Sequence, residues 1–293
     1  MTARVKSFVK ILAVAIVLSL IGAGANIYIK SLSPRETIQE EGLKIYVEGL
    51  SFYFGGDKIS GTVYKPQDTT GRKPAVIWCH DLGESSKSGE KLCRAAAGKG
   101  YVAYAFDFRG GSPQSQSNGE TLGMTLSSEI KDLEAVVAKL RTLDYIDGNR
   151  IYLAGYSQGA LIASQACGSK GVKGLILIAP AFNIPDQCNL LFPKNRQIED
   201  SNDISGTMKV GKSYITDAKG MKPYKGLSRF KGDVLIVHGT SDQAVPLDYS
   251  VRAAGEFPNA ELKTIDGAGH DLAGKTSSQV LGMVTAYLDS QKK

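Results

Sequence analysis

The sequence predicts an α/β fold in which a mostly parallel, twisted sheet is flanked by helices. Short apolar runs alternate along the chain with segments that carry an apolar face at helical spacing. Runs of this length that are apolar throughout are typical of strands buried on both faces of a parallel sheet. The 293 residues, 42% hydrophobic and 22% charged, suit one large core and are few for two full domains. We therefore expect one doubly wound domain with its ligand chemistry at the carboxyl ends of the strands.

The β-rich part begins with a predicted hairpin, in which Gly55-Gly56-Asp57-Lys58 separates LKIYVEGLSFYF from ISGTVYKP. The parallel strands are predicted to be AVIWC, YVAYAFD, RIYLAG, GLILIAP, DVLIVHG and AELKTID. The helices between and after them are predicted over residues 88–99, 125–143, 158–167, 247–256 and 277–291.

The first thirty residues have the pattern of a targeting segment. A basic start, MTARVKSFVK, precedes a run without charge from Ile11 to Ile29. Ala23-Gly24-Ala25 fits a signal-peptide cleavage site, but the run is also close to the ~20 residues of a membrane-spanning helix. Because the positive flank stays inside, we expect an exported protein, either secreted after cleavage near Ala25 or anchored through residues 11–29 with the domain outside. Residues 31–42 are predicted to be a linker and 43–293 the globular domain.

Charge and cysteine usage exclude two classes of site. The formal net charge is +6, but Lys and Arg are scattered, so no phosphate-binding stripe and no nucleic-acid partner is expected. The cysteines lie far apart without a C-x-x-C pair, so no metal site is expected. Buried free thiols are the favoured interpretation, although export permits a disulfide. The four are Cys79, Cys93, Cys167 and Cys188.

The connection between GLILIAP and DVLIVHG is unusually long for a compact domain and holds several prolines, glycines, charges and tyrosines. We interpret it as an inserted cap over about residues 183–229. Four of its apolar side chains are candidates for lining an acyl or aromatic pocket, the alternative being a small core of the cap itself. They are Phe192, Met208, Tyr214 and Tyr224.

The strongest local motif is Gly155-Tyr156-Ser157-Gln158-Gly159, between the strand RIYLAG and a predicted helix. A nucleophile at such a turn needs tight backbone geometry, and the flanking glycines allow the strand and helix to approach closely. The pattern predicts that Ser157 is a nucleophile.

A serine nucleophile needs a histidine base. Of the three histidines, His80 and His238 each end an apolar strand, whereas His270 lies in the loop after AELKTID, from which an imidazole can reach a serine. His270 is the predicted base.

The base in turn needs a carboxylate to orient it. Asp242 follows the strand DVLIVHG, and Ser157, Asp242, His270 is the expected chain order. Two alternatives remain: Asp242 caps the following helix, or Asp271 supplies the carboxylate.

An acyl-transfer enzyme also stabilises an oxyanion, usually with the amide after the nucleophile and one from a loop after an early strand. The Gln158 amide is the first by position, and we place the second at Leu82 in the loop after AVIWC. His80 is then a structural neighbour of the site. The segment DFRGGS, residues 107–112, is predicted to brace nearby loops.

The motifs CHDLGES, DFRGGS, GYSQGA, HGTSDQAVP and GAGHD, in this order, resemble those of the α/β-hydrolase superfamily from about residue 43 to the C-terminus. Within it, the chain most resembles bacterial cinnamoyl or feruloyl esterases and related carboxylesterases with a small cap before the acid-bearing strand. The resemblance implies a Ser-His-Asp mechanism without metal or organic cofactor. It also implies small-molecule or polysaccharide-linked carboxylic esters as substrates, with hydroxycinnamate or acetyl groups as candidates.

Two features depart from the family pattern. The oxyanion loop reads His80-Asp81-Leu82-Gly83 where the family often has His-Gly, and the DFRGGS segment is one residue shorter than usual. Three other functions stay open. A peptidase or an acyltransferase shares this triad, and an exported binding protein could keep the fold without catalysis.

Overall fold

The computed structural model describes residues 36–40, 43–67, 70–204, 206–272 and 276–292. The predicted targeting segment, including the apolar run 11–29, lies outside the described residues. Among the helices that are described, none is both long and apolar enough to cross a membrane.

The described strands form one nine-stranded sheet and a separate two-stranded ribbon. Those of the large sheet are β1 (Glu36–Glu40), β2 (Leu43–Phe54), β3 (Asp57–Pro66), β4 (Lys73–Cys79), β5 (Val102–Phe106), β6 (Ile146–Tyr156), β7 (Val172–Ile178), β10 (Asp233–Gly239) and β11 (Ala260–Ile265). The ribbon pairs β8 (Ser201–Asp203) with β9 (Lys209–Gly211). The order in the large sheet is β1-β2-β3-β5-β4-β6-β7-β10-β11. β1, β2 and β3 pair antiparallel and β3 pairs antiparallel with β5, whereas all pairs from β5 to β11 are parallel. The predicted fold class and the predicted hairpin are confirmed.

The helices are α1 (Glu90–Gly98), α2 (Leu126–Leu140), α3 (Gln158–Gln165), α4 (Ile184–Leu191), α5 (Lys212–Gly220), α6 (Leu247–Glu256) and α7 (Ser277–Ser290). All five predicted helices are present. The largest difference is at the end of α2, which stops at Leu140 instead of residue 143.

The sheet is covered on both faces, which explains why its strands are apolar throughout. In β4, Ala75 and Ile77 belong to a core cluster shared with α2 and α3, while Val76 and Trp78 belong to a second cluster shared with α1 and α7. Successive side chains of a strand point to opposite faces, so both sets are buried only if helices cover both faces. The sheet is therefore a rigid base for loops at its carboxyl edge.

The segment 31–42, expected to be a linker, contains a strand. Residues Glu36–Glu40 pair antiparallel with the start of β2 and extend the sheet at its edge. Such pairing uses backbone groups. The polar composition of ETIQE therefore did not reveal it.

The long connection after β7 contains α4, the β8–β9 ribbon, α5 and a short 3₁₀ turn, Leu227–Arg229. Buried residues from it, including Phe192, Val210 and Ile215, join the same core cluster as α2 and α3. We keep the name cap for residues 183–229. The four cysteines are buried free thiols.

Candidate active site

Ser157 lies at the sharp turn between β6 and α3, at the carboxyl edge of the sheet. Its backbone has φ 52° and ψ −117°, a region that side chains other than glycine rarely adopt. The turn is held because the Ser157 amide donates to the Ile178 carbonyl (2.9 Å) and the Ser157 carbonyl accepts from the Ala181 amide (3.1 Å). The surrounding structure thus imposes a strained backbone at this serine.

The two glycines that flank Ser157 are required by close backbone packing. A Cβ on Gly155 would lie 2.5 Å from the carbonyl carbon of Gly159, and one on Gly159 would lie 2.2 Å from the carbonyl oxygen of Cys79. No side chain fits at these distances. The close approach of β6, α3 and the end of β4 fixes the position of Ser157 at the carboxyl edge of the sheet, where the residue is 6% exposed.

His270 and Asp242 meet Ser157 from two neighbouring loops. The His270 Nε2 lies 3.0 Å from the Ser157 Oγ, and its Nδ1 lies 2.7 Å from Oδ2 of Asp242. A carboxylate can only accept, so Nδ1 carries the proton and Nε2 is free to accept the serine proton. The structure thus brings together the three residues that the sequence motifs singled out.

Asp242 and His270 each stabilise the charged form of the other. Burial alone would raise the pKa of Asp242, but hydrogen bonds from His238 and His270 and from the Val245 amide hold it well below its ordinary value. Burial alone would lower the pKa of His270, but the hydrogen bond and charge of Asp242 raise it above 6.5. Asp242 is therefore ionised at neutral pH and stabilises a protonated His270.

The other acidic oxygen of Asp242 is held by the backbone. Its Oδ1 accepts from the amides of Ala244 (2.9 Å) and Val245 (2.8 Å). The carboxylate thus has one oxygen assigned to the loop and one to His270. Both amides precede α6, whose N-cap is Pro246 without a side-chain cap hydrogen bond, so Asp242 holds the turn before this helix and does not cap the helix.

Two amides near Ser157 converge on a single oxygen atom. The Leu82 amide donates to Oδ1 of Asp81 at 2.7 Å, and the Gln158 amide donates to the same atom at 3.1 Å. These are the two amides that the sequence predicted to face an oxyanion. Donors that share one acceptor are placed as an oxyanion hole requires, and in this structure the acceptor is the side chain of Asp81.

Comparison with known proteins agrees with this architecture. The family model described as serine aminopeptidase, S33, matches residues 70–200, and that of the alpha/beta hydrolase fold matches residues 186–273. The structure of Est1E from Butyrivibrio proteoclasticus with ferulic acid bound is similar, with a TM-score of 0.75 and 24% identity over 83% of this chain and 100% of that one. An esterase from Pyrococcus furiosus has a TM-score of 0.64 and 20% identity over 83% and 91% of the chains.

The chain has the α/β-hydrolase fold. The superfamily resemblance carried by the sequence motifs is confirmed. A short segment of the chain is 41% identical over 59 residues to the non-heme chloroperoxidase CPO-A1 of Kitasatospora aureofaciens. It spans 20% of this chain and 22% of that relative.

Next to Ser157 in the chain, Gln158 belongs to a buried polar network that the sequence did not reveal. The Gln158 side chain donates to Oε2 of Glu129 (2.8 Å) and accepts from the Tyr214 hydroxyl (2.6 Å). Burial raises the pKa of Glu129 to about 8 against the opposing hydrogen bond from Gln158, and the nearby Asp132 and Asp81 add to the rise. This network ties the cap, through Tyr214 on α5, to the first residue of α3.

Two further side chains support the triad and were missed from the sequence. The buried His238 contacts Asp242 through Nε2 (3.1 Å) and Ser250 through Nδ1 (2.7 Å). The Tyr156 hydroxyl donates to the carbonyl of His270 and so restrains the loop that carries the base. His238 stands four residues before Asp242 in the chain, and this spacing was the available signal.

The remaining histidine, His80, has both ring nitrogens engaged away from Ser157. Its Nε2 accepts from the Phe108 amide (3.0 Å), and its Nδ1 donates to the Asp81 carbonyl (2.7 Å). The DFRGGS segment braces its surroundings, since Arg109 pairs with the buried carboxylate of Asp132 at 2.6 Å.

The four predicted pocket residues are not equivalent in the structure. Tyr214 contacts Gln158, and Met208 lies against the oxyanion loop, near the place that a Cβ on Gly83 would occupy. Phe192 and Tyr224 are held by other contacts. The Phe192 ring lies under the Arg196 guanidinium, and the Tyr224 ring stacks on Phe182 with Arg252 on its other side. Met208 is therefore the candidate that lies against the oxyanion loop, whereas Tyr214 is 0% exposed and belongs to the buried network around Gln158.

Proposed function

We propose that this α/β-hydrolase is a serine esterase that cleaves carboxylic esters through an acyl-enzyme intermediate. The observation that carries the proposal is the hydrogen-bonded chain from Ser157 through His270 to Asp242, with two amides converging beside the serine. This set supplies a nucleophile, a base, an orienting carboxylate and oxyanion donors.

In the proposed cycle, His270 accepts the proton of Ser157 as the hydroxyl oxygen attacks the ester carbonyl carbon. The carbonyl oxygen becomes an oxyanion and accepts from the amides of Leu82 and Gln158. The C–O bond to the alcohol then breaks, and the alcohol leaves with the proton from His270. A water molecule, deprotonated by His270, attacks the acyl-serine and releases the acid.

For the acyl group, we propose an aromatic hydroxycinnamate or an acetyl group carried by a small molecule or a polysaccharide. The similarity to Est1E, solved with ferulic acid, supports the aromatic candidate. Met208, which lies against the oxyanion loop, is the cap residue proposed to contact the acyl group. Tyr214 is 0% exposed with its hydroxyl on Gln158, so we propose that it positions Gln158.

A peptidase is the second candidate function, because the matching family model is described as serine aminopeptidase. Peptidases and esterases share the acyl-enzyme step and differ in the leaving group that must be protonated. An acyltransferase would pass the acyl group to an added alcohol instead of water. The inactive binding protein is less favoured because the triad residues are hydrogen-bonded to one another.

We also propose that the enzyme acts outside the cell, on the basis of the basic start and the apolar run of residues 11–29. It would be secreted or would remain associated with the membrane through that run. Protease accessibility of the domain on intact cells tests this proposal.

A panel of p-nitrophenyl acetate, butyrate, long-chain and feruloyl esters, with matched p-nitroanilides, tests the function. The esterase proposal predicts hydrolysis of at least one ester with little anilide cleavage and loss of turnover in Ser157→Ala. Faster anilide than ester turnover would favour the peptidase. Turnover that survives in Ser157→Ala would contradict both.

A further inference from the structure

The oxyanion hole of this protein is filled by one of its own side chains. Building on the proposed function, we propose that Asp81 is an autoinhibitory occupant of the oxyanion hole, which an ester carbonyl must displace before Ser157 can attack. Oδ1 of Asp81 takes both hydrogen bonds that the hole can offer, from Leu82 at 2.7 Å and from Gln158 at 3.1 Å.

The occupant matches the chemistry of the hole. A carboxylate oxygen carries partial negative charge, as does the oxyanion of a tetrahedral intermediate, so both suit the same pair of amide donors. Each amide has one proton, and a second oxygen cannot share these short contacts. The Asp81 carboxylate and a substrate oxyanion are therefore mutually exclusive in this site.

Opening the hole requires rotation of one side chain and no rearrangement of the loop. The Asp81 carbonyl accepts from His80 Nδ1 (2.7 Å) and from the Glu84 amide (3.1 Å), and the Gly83 amide donates to the Gly111 carbonyl (2.9 Å). These bonds hold the backbone that presents the Leu82 amide. Because an aspartate has staggered χ1 wells, its carboxylate can leave while the donors stay in place.

The surroundings of Asp81 have opposing effects on the stability of its ionised carboxylate beside the two amides. Burial raises the pKa of Asp81, while hydrogen bonds from the amides of Gln158 and Leu82 and the charge of His270 act to lower it. Desolvation therefore destabilises the buried carboxylate, while its hydrogen-bond donors stabilise it. The residue as a whole is half-buried, at the carboxyl edge of the sheet.

The alternative is that Asp81 assists catalysis, for example by stabilising protonated His270. Variants separate the two ideas. Asp81→Ala removes the occupant, and Asp81→Asn keeps a carbonyl oxygen that can accept from the same amides without the charge. Glu84→Gln is the matched control, because Glu84 is an exposed acidic residue in the same loop.

The experiment measures the second-order rate constant for labelling by a fluorophosphonate, together with kcat/KM for acetyl and butyryl esters. Every substrate, and the fluorophosphonate, must displace the Asp81 carboxylate before it reacts with Ser157. Asp81→Ala should therefore raise every one of these rates by a similar factor, on the order of tenfold. Asp81→Asn should give a smaller rise, and Glu84→Gln should match the wild type.

Equal or lower rates in folded Asp81→Ala, or a gain for one acyl length alone, would overturn the proposal. If circular dichroism shows that Asp81→Ala is unfolded, Asp81→Asn decides, with no gain in labelling as the contradicting result. If the wild type is labelled as fast as Asp81→Ala, the proposal that Asp81 blocks the oxyanion hole is contradicted, while the esterase proposal is not affected. Absence of labelling in all variants contradicts both.

Discussion

Replacing the buried Glu129 by glutamine should change how the stability of the protein depends on pH. Glu129 is 1% exposed on α2 and accepts from the Gln158 side chain. Its pKa is raised from 4.5 to about 8, mainly by burial. Glutamine keeps an oxygen for Gln158 and carries no charge at any pH.

The sign follows from proton binding. Between pH 4.5 and about 8 the unfolded chain has lost the Glu129 proton while the folded chain retains it, so unfolding releases a proton and rising pH favours unfolding. The contribution is present below pH 4.5 and is lost as pH approaches 8. One pKa unit is worth about 1.36 kcal/mol, so from pH 5 to pH 7.5 the wild type should lose about 3 kcal/mol relative to Glu129→Gln.

The assay is urea unfolding at pH 5 and pH 7.5 for the wild type, Glu129→Gln and a control, Glu134→Gln. Glu134 is an exposed residue on the same helix, and its substitution should leave the pH dependence of the free energy of unfolding unchanged. If the free energies of unfolding of the wild type and Glu129→Gln change by the same amount between the two pH values, the inference that Glu129 is protonated in the folded protein is wrong.

Three further predictions concern the site. Gly159→Ala should greatly reduce the yield of folded protein or lower its melting temperature by about 6–12 °C. The new Cβ would lie 2.2 Å from the Cys79 carbonyl oxygen, and such a clash in the core costs roughly 3 kcal/mol. A wild-type melting curve would contradict this. Asp242→Asn should lower kcat by about 10³–10⁴, because the two amides retain the carbonyl oxygen and turn the NH₂ group toward His270, which then carries its proton on Nε2; near-normal kcat would refute that orientation. In the wild type, kcat/KM should rise with pH through a pKa above 6.5, since His270 must be neutral to accept a proton; an acid limb below 6.5 would contradict the effect of Asp242.

The sequence predicted the parts of the fold that depend on local pattern. The parallel strands are buried on both faces, so each appears as an apolar run, and the turn at Ser157 needs glycines at residues 155 and 159 because backbone atoms meet there. The strand at Glu36–Glu40 was missed because its pairing depends on backbone groups and not on side-chain pattern.

The residues missed at the site act through tertiary contacts that no local pattern contains. The departure at Asp81 was visible in the motif, but its hydrogen bonds from the Leu82 and Gln158 amides depend on a side-chain rotamer and on the separate element that carries Gln158. Likewise Glu129 and Tyr214 meet Gln158 from α2 and α5, which lie far apart in the chain. Such contacts join residues that are distant in the sequence, so they can be predicted only when the folded arrangement is known.

The most direct test of the central claim is mass spectrometry of the purified protein after reaction with a fluorophosphonate, alongside ester hydrolysis by the wild type and Ser157→Ala. The account predicts one phosphonylated residue, Ser157, complete loss of hydrolysis on labelling, and a fall in kcat of about 10⁴ or more in Ser157→Ala. Labelling at another residue, or ester turnover retained by Ser157→Ala, would contradict it.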